Sequence, residues 1–155
     1  MHVLFVCTGN TCRSPMAEVL LRRALAERGL EHVTVGSAGI GAWAGAPASE
    51  GSYLVGLEHE LDLSAHRARM LTPELVGEAD LILAMGHAHL GRVLELGGAG
   101  KTFLLTDYGG RDGADVSDPY GAALDTYRQT YDELAELVAR VADRLVAQQQ
   151  PGDHR

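Results

Sequence analysis

Apolar positions along this chain fall into short runs separated by longer stretches of helical period. His2 to Val6 alternates and then ends in apolar residues, the signature of a buried strand. Pro15 opens an Ala/Leu/Arg/Glu-rich run that predicts a helix over about 15–28. Further along, the pattern predicts a strand at about 32–36, a helix at about 47–58, strands at 80–85 and about 101–105, and a last helix at about 122–148. Thr72-Pro73-Glu74 has a capping hydroxyl followed by proline at the first helical position, which predicts a short helix over 73–78 leading into the apolar LILAM. Strands alternating with helices predict an α/β fold: one doubly wound domain over 1–148, with a four-stranded parallel sheet and helices on both faces. The tail, residues 149–155, reads as flexible.

In a doubly wound sheet, ligands lie beyond the carboxyl ends of the strands at the switch point, which directs attention to the loop after the first strand. There five residues separate Cys7 from Arg13 in HVLFVCTGNTCRSPMAE. Free backbone N–H groups and the helix dipole at such a strand-to-helix loop attract a phosphate dianion and lower the pKa of a cysteine. Arg13 adds a planar fork that holds two non-bridging oxygens at once. As an ordinary surface residue on a first helical turn it would oppose the dipole, so its placement favours anion binding. The pattern describes a thiolate nucleophile, Cys7, inside a phosphate cradle made of Thr8, Gly9, Asn10, Thr11, Cys12, Arg13 and Ser14.

At 155 residues the chain can bury one core without disulfides or metals. Its two cysteines, Cys7 and Cys12, share one loop and form no structural framework. A net charge of -8 with no dense Lys/Arg cluster argues against nucleic acid. No apolar run is long enough for a membrane helix, and the chain enters its first strand without a leader, so no membrane and a cytoplasmic location are expected.

With Cys7, Arg13 and the Ser14-Pro15 helix start in place, the chain resembles the low-molecular-weight protein tyrosine phosphatases. The likeness extends to Ser37-Ala38-Gly39 followed by Trp43, to Asp62, Ser64, His66 and Arg69 in an Asp-x-Ser-x-His-x-x-Arg stretch, and to Asp118-Pro119-Tyr120 before the last helix. Within that family, CTGNTCRSPMAE, LAMGHAH and the single aromatic of Asp-Pro-Tyr-Gly are similar to the bacterial protein-arginine phosphatase branch. Thr11 stands where tyrosine-directed relatives commonly carry an aliphatic residue, and Gly121 where many have a second aromatic.

The resemblance implies catalysis by Cys7, Arg13 and Asp118, through a phosphocysteine intermediate and with Asp118 as general acid and then base. Alone, Asp118-Pro119-Tyr120-Gly121 would read as a plain turn. The resemblance further implies that Asn10, Ser14, Ser37 and His66 support the loop, Ser14 also assisting the thiolate as leaving group. Thr11, Trp43 and Tyr120 would line the substrate pocket. Without it, His66 reads as a satisfied half-buried histidine and Trp43 as a core residue. No metal or other cofactor is needed. The implied partners are phosphorylated protein substrates, with an arginine kinase upstream, and the chain itself would be a monomer or weak dimer. Cys12 lies near enough in sequence to resolve an oxidised Cys7 as a disulfide.

Other signals carry less. GGAGKT at 97–102 is similar to a nucleotide P-loop, but Glu95 stands where the leading glycine belongs and the segment precedes a strand. His87 and His89 do not share a helical face, and no further metal ligands cluster with them. The charged positions Asp132, Glu133, Glu136, Arg140 and Asp143 read as a solvated helix face. The rival functions are a tyrosine phosphatase, an arsenate reductase of the same fold, and a phosphate-binding pseudoenzyme. The reductase requires a further cysteine pair, and no cysteine follows Cys12.

Overall fold

The structure, a computed structural model, describes residues 1–149. The flexible tail expected over 149–155 lies outside them apart from Gln149, which ends the last helix. The elements are β1 (His2–Cys7), α1 (Arg13–Glu27), β2 (Thr34–Gly39), α2 (Glu50–Glu58), α3 (Pro73–Glu78), β3 (Leu81–Ala84), α4 (His87–Glu95), β4 (Thr102–Leu104), α5 (Leu105–Tyr108) and α6 (Leu124–Gln149). The four strands form one parallel sheet in the order β2-β1-β3-β4. The chain winds one way from β1 to β2 and the other way to β3, so the switch point lies beside the end of β1.

β1 is buried on both faces because its two alternating sets of side chains serve two cores. Val3, Phe5 and Cys7 join α1, α2 and α6 in the larger cluster, built on Met16, Leu21, Leu134, Leu137 and Val141. Leu4 and Val6 turn to the opposite face, against Ala38, Val76, Ile82 and Val93. The helix starts follow local chemistry where that chemistry exists. Ser49 Oγ accepts Ser52 N–H, and Thr72 Oγ1 accepts Leu75 N–H with Pro73 in the first turn.

Several boundaries differ from the sequence reading. β2 runs over 34–39, not 32–36, because pairing with β1 sets it despite Gly36, Ser37 and Gly39; Cys7 pairs with Gly39 at its end. The first helix begins at Arg13, two residues before Pro15. α2 begins at Glu50, α6 at Leu124, and β3 and β4 are each shorter than expected. Two helices, α4 and α5, have no counterpart in the sequence reading. The capping group of α4 comes from far along the chain: His87 N–H donates to Asp115 Oδ1 at 2.9 Å. Among the described residues no helix is long and apolar enough to cross a membrane.

Candidate active site

The loop between β1 and α1 is held by its carbonyls. Thr8 O accepts Gly41 N–H at 2.9 Å, and Thr11 O accepts Ser49 N–H at 2.9 Å. Asn10 O lies 2.6 Å from His66 Nε2, and Cys12 O accepts the Ser52 hydroxyl at 3.1 Å. Four carbonyls are thus drawn outward into the surrounding scaffold. Peptide planarity turns the N–H groups of Gly9, Thr11, Cys12 and Arg13 the other way, toward the concave side of the loop. Because Asn10 O can only accept, His66 Nε2 must carry the proton in that bond. The turn ahead of His66 is set by Asp62, whose Oδ1 accepts Ser64 N–H at 2.9 Å.

Asn10 is the hub. Its φ of 55° lies in the left-handed region, and its side chain is fully buried. Oδ1 accepts Arg69 N–H at 2.9 Å, which fixes the amide orientation. The two Nδ2 protons then go to Ser14 Oγ at 2.8 Å and Ser37 Oγ at 2.9 Å. Ser37 passes its own proton to Glu18 Oε1 at 2.6 Å, and its carbonyl accepts Arg69 Nε–H at 3.1 Å. All four expected support residues, Asn10, Ser14, Ser37 and His66, are in this network. Glu18 was not singled out from the sequence, and Arg69 appeared there only as a match with no role. Each reveals itself only through a partner distant along the chain.

Cys7 Sγ ends β1 at 2.9 Å from Ser14 Oγ. The helix N-terminus was expected to lower this thiol. Burial is the larger influence and pushes it up from its ordinary value, while Ser14, the Arg13 charge and Asn10 pull the other way. Cys12 Sγ donates to Ser49 Oγ at 3.2 Å and lies 3.5 Å from the Tyr127 hydroxyl; both cysteines are free thiols.

Arg13 is the first residue of α1 and is buried. Nη1 donates to Val116 O at 2.9 Å, and Nη2 lies 3.4 Å from Asp118 Oδ2. Nε is buried with no protein partner, which leaves a donor for an anion. Asp118 is half exposed, and its Oδ1 accepts Tyr120 N–H at 3.1 Å, so the turn chemistry is present as well as the link to Arg13. A cavity of about 340 Å³ is lined by Cys7, Thr8, Gly9, Thr11, Cys12, Arg13, Gly41, Trp43, Asp118 and Tyr120. Trp43 and Tyr120 stand at its mouth, 85% and 76% exposed, which removes the reading of Trp43 as a core residue. Gly121 has a φ of 76°, so its backbone as well as its size disfavours an aromatic there.

His89 was set aside in the sequence as a metal ligand, and the structure places it against the loop. It is 5% exposed, with Nε2 2.8 Å from Thr8 Oγ1 and Nδ1 without a partner. Burial, then the Arg13 charge, push it down to about 4, against the opposing pull of Asp115 and Asp118. The sequence signal was the LAMGHAH phrase, but only α4 shows which of its histidines faces the loop. Among the described residues no group of three or more His, Cys, Asp or Glu side chains could hold a metal ion.

The family described as low molecular weight phosphotyrosine protein phosphatase matches residues 2–151. A protein-arginine-phosphatase of Bacillus subtilis is 42% identical over 94% of this chain and 97% of its own length. A probable low molecular weight protein-tyrosine-phosphatase of Ralstonia solanacearum is 46% identical over 93% of this chain and 92% of its own. Among solved structures, a YwlE arginine phosphatase mutant with a phosphorylated active site serine superposes with a TM-score of 0.88 at 38% identity, covering 98% of this chain and 99% of that one. With its parallel sheet, its loop after β1 and near-complete coverage by these relatives, the chain belongs to the low molecular weight phosphotyrosine protein phosphatase family.

Proposed function

We propose that this protein is a cysteine-dependent phosphatase that hydrolyses phosphoarginine on proteins. The observation that carries the chemistry is the convergence of three groups on one cavity: the Cys7 thiol, the buried Arg13 with its unpartnered Nε, and the Asp118 carboxyl.

Cys7 Sγ, as thiolate, attacks phosphorus in line. The S–P bond forms as the P–N bond to the guanidine breaks, and Asp118 delivers a proton to the departing nitrogen. Arg13 and the inward amides hold the equatorial oxygens, where charge collects. Asp118, now a carboxylate, then takes a proton from water, whose oxygen attacks phosphorus. The P–S bond breaks, releasing inorganic phosphate and the Cys7 thiolate. Ser14 Oγ, hydrogen-bonded to Cys7, steadies the sulfur as it leaves. A nucleophile of this kind must stay reduced, which suits a cytoplasmic enzyme.

Three observations support the phosphoarginine substrate class. The chain is 42% and 40% identical to protein-arginine-phosphatases of Bacillus subtilis and Geobacillus stearothermophilus. Thr11 lines the cavity where an aliphatic wall would suit a phenyl ring better. Tyr120 is followed by Gly121 and not by a second ring. The competing reading, phosphotyrosine, is favoured by the 46% identity to the Ralstonia solanacearum relative. The test is a steady-state comparison of phosphoarginine and phosphotyrosine peptides, with Cys7→Ser as the blank. A higher kcat/KM on phosphoarginine is expected; a higher kcat/KM on phosphotyrosine would replace the substrate class and keep the mechanism.

A further inference from the structure

His89 reaches the loop from α4, on the far side of β3, and its ring is the sole side chain hydrogen-bonded to Thr8 among the described residues. The bond joins Nε2 to Thr8 Oγ1 at 2.8 Å. The opposite nitrogen, Nδ1, is buried with no partner. Two neutral tautomers are compatible with that distance, and they differ in what they leave on the orphaned nitrogen. One leaves a buried N–H without an acceptor, an arrangement that native structures rarely tolerate. The other leaves a lone pair, and an orphaned buried acceptor is less rare than an orphaned buried N–H. The proton therefore belongs on Nε2, which donates to Thr8 Oγ1.

Thr8 Oγ1 is then an acceptor toward the ring. With one lone pair engaged by His89, the hydroxyl proton must turn away from the ring. Thr8 lines the same cavity as Cys7 and Arg13, so it turns that way into a space where a phosphoryl group offers acceptors only. We propose that His89 is a positioning residue: its neutral ring donates Nε2–H to Thr8 Oγ1 and so fixes the Thr8 hydroxyl as a donor to a phosphoryl oxygen. The inward loop amides and Arg13 then have a side-chain partner in anion binding. The proposal rests on the reading of this loop as a phosphoryl site.

Four variants test it: His89→Ala, His89→Gln, Thr8→Val and the Thr8→Val/His89→Ala pair. The probe is inorganic phosphate as a competitive inhibitor of aryl phosphate hydrolysis. A hydrogen bond to a charged group predicts that His89→Ala and Thr8→Val each weaken phosphate by roughly tenfold. The double variant should be no weaker than either single one, since the two side chains act through one bond. Gln carries an N–H that can still donate, so His89→Gln should retain most of the wild-type phosphate affinity. Unchanged phosphate inhibition in Thr8→Val overturns the proposal, even if His89→Ala fails to fold. Multiplying effects in the double variant overturn it too. A wild-type protein that phosphate does not inhibit would remove the phosphoryl-site reading together with it.

Discussion

The hydroxyl oxygen of Ser14 lies 2.9 Å from Cys7 Sγ while it accepts an amide proton from Asn10 at 2.8 Å. With its lone pair engaged by Asn10, Ser14 directs its own proton at the sulfur, where it stabilises the thiolate against the cost of burial. Ser14→Ala should therefore raise the Cys7 thiol further above its ordinary value. A thiolate is the reactive form, so the rising limb of kcat/KM moves to higher pH, by about one unit if the bond contributes about 1.4 kcal/mol. Iodoacetamide alkylation of Cys7 against pH reads this directly, and coincident curves for wild type and variant would refute it.

Gly39 ends β2 against the loop, and a Cβ there would lie 2.4 Å from Thr8 O and 2.9 Å from Asn10 N. Both neighbours are backbone, so neither can rotate aside. Gly39→Ala should cost about 1–3 kcal/mol as an overpacking change. For a chain of this size that corresponds to a melting midpoint lower by roughly 3–10 °C. Activity should fall with it, because the displaced atoms belong to the phosphate loop. A thermal melt within 1 °C of wild type, to order of magnitude, would show that the loop yields easily.

Asp118→Asn removes the proton donor but keeps the side chain's size. The loss in kcat/KM, which reports transfer to Cys7 and not the shared hydrolysis of the intermediate, should be on the order of 10²–10⁴ for a substrate whose leaving group needs a proton. It should be much smaller for an aryl phosphate with an acidic phenol, which departs as an anion. An equal loss on both substrates would indicate that Asp118 acts through its contact with Arg13 and not as an acid.

Cys12 is engaged with Ser49 and Tyr127, so a disulfide to Cys7 requires it to leave both. Peroxide should inactivate the wild type, and a dithiol should restore it. Cys12→Ser should lose activity that the dithiol cannot restore once Cys7 passes to the sulfinic state. Recovery of the variant to the same extent as wild type would exclude Cys12 as the resolving thiol.

The reactive half of this site was legible because its chemistry is local. Cys7 and Arg13 lie on one loop between a strand and a helix, and their spacing carries the argument without the rest of the chain. The supporting half was legible only through family resemblance. His66 is 56 residues from the carbonyl it holds, and nothing local to it marks that partner. Glu18 lay beyond even that, and His89 was marked only as part of the LAMGHAH phrase with no role, since a buried acceptor for Ser37 and a buried imidazole behind Thr8 emerge only once the helices are packed. The fold shows the same division. α3 announces itself through Thr72 and Pro73, whereas the capping carboxylate of α4 arrives from Asp115, 28 residues on. β2 was legible as a strand at about 32–36, but its extension to Gly39 comes from pairing with β1, and its glycines gave no sign of that.

In the proposed mechanism Cys7 carries the phosphoryl group between substrate and water. Acid quenching during turnover of a phosphorylated peptide, followed by mass spectrometry of the fragment that contains Cys7, tests it most directly. The expected result is a phosphoryl adduct on Cys7 that accumulates further in Asp118→Asn with an aryl phosphate, because that variant still forms the intermediate but activates water poorly. Sustained turnover with no adduct on Cys7 in either protein, or full activity in Cys7→Ser, would contradict it.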